Sequence, residues 1–133
     1  MTAAAATIAA SLLVAMAAIQ VALALGAPLG GIVWGGRYQG KLPTSLRIGS
    51  AAAVLILILA ALVILAQAGL LSWSPVPTRF LTGGTWVIAG YMALNTLGNL
   101  ASKSRFERFV FGPMTALIAV LCVVVALNGS GPT

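Results

Sequence analysis

Across 133 residues, 61% of the side chains are hydrophobic, 6% are charged, and the formal charge is +6. Soluble domains carry about 25% charged residues, so this composition excludes a water-soluble fold, and its hydrophobicity excludes intrinsic disorder. The length allows one domain, 1–133.

In chain order, four charge-free stretches are each long enough for one span of roughly 20 residues and too short for two. The expected helices lie near Ala4–Leu25, Ile48–Gly69, Phe80–Leu100 and Phe109–Leu127. No Lys or Arg precedes Arg37, so the first stretch lacks the basic start of a cleaved signal and is expected to remain as a helix. Thr44 or Ser45 is expected to cap the second helix and Thr78 the third. Ser104 and Glu107 form a Ser-x-x-Glu capping box before the fourth, and Asn128–Gly129 suits a left-handed helix end. Trp34, Trp73 and Trp86 fall at or near span ends, where indole rings favour the headgroup level. The resulting fold is an all-α membrane protein, a four-helix up-down bundle.

Orientation follows from the cations. Arg37, Lys41 and Arg47 follow the first span, and Lys103, Arg105 and Arg108 follow the third, whereas the middle loop holds Arg79 alone. Lys and Arg bias short loops to the cytoplasmic side, so both termini are expected outside. These cations lie beside the membrane and account for orientation, so the positive charge does not point to nucleic acid. It does predict contact with anionic headgroups.

Few residues offer chemistry. Residues Gly35–Leu42 approach the phosphate-loop pattern G-x-x-x-x-G-K-[ST], but Leu42 replaces the Mg²⁺-holding hydroxyl and a membrane helix precedes the motif. The same glycines, with Pro28, point to a broken or re-entrant helix end. Cys122 stands alone in mid-span, His is absent and Glu107 is the only acid. No metal site, cofactor or paired-carboxylate catalysis is therefore expected, and the protein reads as no enzyme.

The third span is the most polar. Tyr91, Asn95, Asn99 and Ser102 share about 80° of arc at 100° per residue. Gln20 lies at the depth of Asn95, each roughly 7–8 Å from the basic end of its span. The expectation is an inner-leaflet polar cluster of Gln20, Tyr91, Asn95 and Asn99, with Ser102 at its mouth. Arg47 and Arg108, starting the adjacent spans, would make that mouth positive and suit an anionic headgroup or solute. Hydrogen bonding between helices is the simpler role for such amides and is favoured over a ligand site.

Gly26–Gly31, Trp34–Arg37, Leu42-Pro43, Leu46–Ser50 and Ala93–Asn99, followed by Ser102, Ser104 and Glu107-Arg108, give the chain a family likeness. Together they resemble small four-span integral membrane proteins of bacteria with no known activity. The resemblance implies a four-helix membrane protein and carries no ligand or catalytic residue. The leading functional expectation is a non-enzymatic protein of the bacterial inner membrane, acting as a homo-oligomer or as a small subunit bound to another membrane protein. A channel for a small solute and an inner-leaflet binder of lipid or apolar ligand are the alternatives.

Overall fold

The computed structural model describes residues 1–132. Four α-helices are joined by short 3₁₀ turns and loops, with no strand among the described residues: α1 (Thr2–Ala24), α2 (Thr44–Gln67), α3 (Leu81–Leu100) and α4 (Gly112–Asn128). All four expected helices are present, and α2 begins earlier than its charge-free stretch, so that Arg47 belongs to its first turn.

The caps differ from expectation. Helix α2 follows Pro43 with no side-chain cap, and Thr78 opens a 3₁₀ turn, Thr78–Phe80, ahead of α3 without capping it. Both helices start after prolines, Pro43 and Pro77, whose fixed φ already steers the chain into a helical turn. Gly129 leaves α4 extended (φ −76°), contrary to the left-handed end expected there. That left-handed end appears instead at Gly26 after α1 and Gly69 after α2, where Ala27 N–H reaches Ala22 O and Leu70 N–H reaches Leu65 O.

A π-helical turn, Glu107–Phe111, leads into α4, closed by Gly112 N–H donating to Glu107 O. Its cause is local. Pro113 has no N–H for the carbonyl four residues earlier, so the ladder widens by one residue just before it.

Alanines let the helices approach closely. Ala6, Ala9, Ala10 and Leu13 of α1 lie in one core with Ala60, Ala61 and Ile64 of α2 and Ile118, Cys122 and Val125 of α4. Cys122 is fully buried and unpaired. Helix α1 packs against α2 and α4, and α3 packs on α4. Around the bundle the order is α2, α1, α4, α3, which leaves α2 and α3 as the lightly joined pair.

The helices α1 and α2, together with the stretch Glu107–Asn128, are long and apolar enough to cross a membrane. Helix α3 has the length, at 20 residues, but not the apolar character. Asn95, Asn99 and the threonines at 82, 85 and 96 dilute it.

Candidate functional site

The site lies at the end of the bundle that carries six of the seven cations. After α1 the chain does break, as the glycines and Pro28 suggested. Segment 25–43 folds over that end through two 3₁₀ turns, Gly30–Ile32 and Trp34–Gly36. Leu23, Val33, Leu42 and Phe111 form a small apolar core beneath it. Gly30 closes the loop: its N–H donates to Gly40 O at 2.7 Å, and a Cβ there would sit 2.5 Å from the carbonyl oxygens of Gly40 and Tyr38. Gly35, Gly36 and Gly40 of the near phosphate-loop all have positive φ, and Gly35 N–H donates to the Glu107 carboxylate. In this loop the anion is the protein's own.

The Ser-x-x-Glu box is half formed. Ser104 Oγ accepts from Glu107 N–H at 3.3 Å, but the reciprocal bond to Ser104 N–H comes from Ser102 Oγ at 3.0 Å. Glu107 Oε1 turns instead to Gly35 N–H, at 2.8 Å, and to the Ser102 hydroxyl, at 2.6 Å. Ser104 also donates to Ile32 O, so both basic loops are tied together at one end. No cation pairs with the carboxylate among the described residues.

Between α1, α2 and α3 at this end lies a cavity of about 300 Å³, which Phe111 also helps to line. Its polar wall is Gln20, Ser50, Tyr91, Asn95, Asn99 and Glu107, with Trp34 beside them. An outer cleft of about 470 Å³ shares Trp34, Asn95, Asn99 and Glu107 and adds Ser102. Thus Gln20, Tyr91, Asn95 and Asn99 line one cavity, and Ser102 lines only the adjoining cleft.

Hydrogen bonding separates this cluster from interhelical glue. Asn95 Nδ2 donates to Tyr91 O of its own helix at 2.8 Å. The side-chain amides of Gln20 and Asn99 have no hydrogen-bond partner among the described residues. None of the three bridges two helices. The interhelical bonds are made elsewhere, by Thr96 with Thr115 at 2.9 Å and by Gln67 with Thr82 at 3.0 Å. Unpaired amides are costly against hydrocarbon, so the cavity they line is a place for water or a polar ligand.

No protein-family model, curated protein or solved structure matches the chain.

Neither arginine expected at the mouth lines it. Arg47 Nε donates to Ala24 O at 3.1 Å, capping the end of α1, and Lys41 packs with it over Gly26. Arg108 is exposed and lines neither cavity nor cleft. A helix C-terminus attracts cations, and α1 has drawn Arg47 away from the cavity. Glu107 is the one charged residue on the wall. Sequence reasoning passed over it because Ser-x-x-Glu spacing already supplied a capping role. The available signal was its being the sole acid, placed beside a membrane.

Trp34, expected as an interfacial anchor, is 55% exposed. It also lines both spaces and holds φ at 52°, a left-handed backbone that costs a bulky residue of order 1–3 kcal/mol.

A second, apolar groove of about 230 Å³ continues between α2 and α3, lined by Ile56, Leu57, Ala60, Val87, Ile88, Tyr91 and Met92. Tyr91 belongs to both groove and cavity.

Proposed function

We propose that the protein binds an amphiphile within the membrane, its polar head in the Gln20–Asn99 cavity and its apolar tail in the α2–α3 groove. The carrying observation is the sharing of Tyr91 by a polar cavity and an apolar groove in the one loosely packed seam of the bundle. Ligand sites commonly combine an apolar lining with a few convergent polar groups. The same reading makes α3 the fourth span, its asparagines turned to the cavity and away from lipid. It sets both termini outside and the basic loops in the cytoplasm of a bacterial inner membrane, where those loops meet anionic headgroups. The protein then acts by binding and is no enzyme.

A photoactivatable amphiphile with a diazirine in its chain tests this in membranes. Labelling concentrated on Ile56, Val87 and Ile88 is the expected result. Labelling spread evenly over exposed lipid-facing side chains such as Trp86 and Val120 would sink it.

Self-association is a second proposal. It is favoured by a shallow outer groove on α3 and α4 formed by Ala89, Gly90, Ala93 and Ala119, where another helix can approach closely. Gly90→Leu should then lower the dimer fraction in mild detergent and leave amphiphile labelling intact.

A further inference from the structure

We infer that the polar cavity selects a positively charged head, an organic ammonium, with Glu107 as its counter-charge. The inference rests on the amphiphile reading and adds the sign of the ligand.

The argument is one of charge placement. The walls come from α1, α2, α3, the Val33–Trp34 loop and the Glu107–Phe111 turn, and across all of them the only charged side chain is Glu107. None of the seven cations lines the cavity or the outer cleft: Arg47 and Lys41 pack at the end of α1, Arg79 lies 4.8 Å over Phe80 in the α2–α3 connection, and Arg37, Lys103, Arg105 and Arg108 are exposed. An anionic head would enter beside a like charge with no cation to meet it, whereas an ammonium gains a nearby opposite charge in a space partly closed to water.

Acceptor capacity agrees. A carboxylate offers about four lone-pair sites, and Glu107 uses two, both toward neutral donors on a single oxygen. The unbonded amide groups of Gln20 and Asn99 add carbonyl acceptors on the same wall. Trp34 and Tyr91 contribute aromatic surface, which favours alkylated ammonium groups. The cavity of about 300 Å³ has room for such a head, and the tail would lie in the groove beyond Tyr91.

The test uses the full chain in nanodiscs and three probes with one dodecyl tail: dodecyltrimethylammonium, dodecyl phosphate and neutral dodecyl maltoside. Tryptophan fluorescence reports binding. Dodecyltrimethylammonium should bind at least about tenfold more tightly than the other two. Glu107→Gln should erase that preference, bringing the cationic probe down to the level of the maltoside. Asn95→Lys, which adds a competing cation on the same wall, should weaken the cationic probe selectively, so the result does not hang on one variant's folding. Equal binding of all three probes, or preference for the phosphate, overturns the charge assignment and leaves the amphiphile reading standing. Binding of none overturns both. Phosphatidylethanolamine in the nanodisc identifies a bilayer lipid as the natural ammonium if it competes, and a soluble amphiphile if it does not; either result sustains the inference.

Discussion

The two ends of the bundle use similar polar residues in opposite ways. At the end that carries Arg79, buried Gln67 donates to Thr82 Oγ1 and to Gly129 O, and Gly131 N–H returns to Gln67 O. One amide there joins α2, α3 and the segment after α4, and Val63, Ala66 and Leu81 close the seam between α2 and α3 beneath it. At the cationic end the seam opens into a cavity, and Gln20 and Asn99 bond to no neighbour. An amide's presence in an apolar helix therefore does not reveal its role, whereas its partner does. Polar groups that bridge helices stabilise the fold, and those that face a cavity are retained at some expense to stability and point to function.

Variants can break or sharpen this contrast. The largest loss is expected for Gln67→Leu, about 3 kcal/mol, because a buried amide gives up two hydrogen bonds, one to Thr82 of α3 and one to Gly129 after α4. A melting temperature lowered by several degrees in detergent, with probe selectivity intact in the folded fraction, is the outcome to look for.

Gly30→Ala is expected to cost about 2 kcal/mol, since the added methyl meets two backbone carbonyls that cannot swing aside. That loss would show that the cationic end is well ordered around its cavity. Protease nicking between 25 and 43 should rise with it. Thr115→Val removes the α3–α4 hydroxyl pair at nearly constant volume and should cost about 1 kcal/mol, read as a small drop in the melting midpoint.

Much of this was legible in the residues. Charge-free runs placed four helices because spanning length is a simple sum of residue rises. Cation grouping placed both basic loops at one end, where Ser104 now bonds Ile32. Equal depth and shared arc brought Gln20, Tyr91, Asn95 and Asn99 to one wall. What stayed hidden depends on contacts between distant segments. The bond from Gly35 to Glu107 spans 72 residues, and no local pattern announces it. The capping-box spacing was real but satisfied by a different acceptor, with Ser102 Oγ taking the place of the glutamate. Arg47 starts α2 at the cationic end yet is drawn to the end of α1, a preference that only the neighbouring carbonyl reveals. The half-apolar character of α3 was visible, but its meaning needed the seam that the packing of α2 and α3 leaves open.

The central claim is that the cavity amides do not hold the helices together. The double variant Asn95→Leu/Asn99→Leu, melted beside the parent chain in the same detergent, addresses it most directly. Equal or higher thermal stability, together with loss of dodecyltrimethylammonium binding, is the result expected of groups that serve a ligand. A fall of roughly 4–8 °C, the scale of about 1 kcal/mol in a small domain, would contradict the account and return these residues to a structural role.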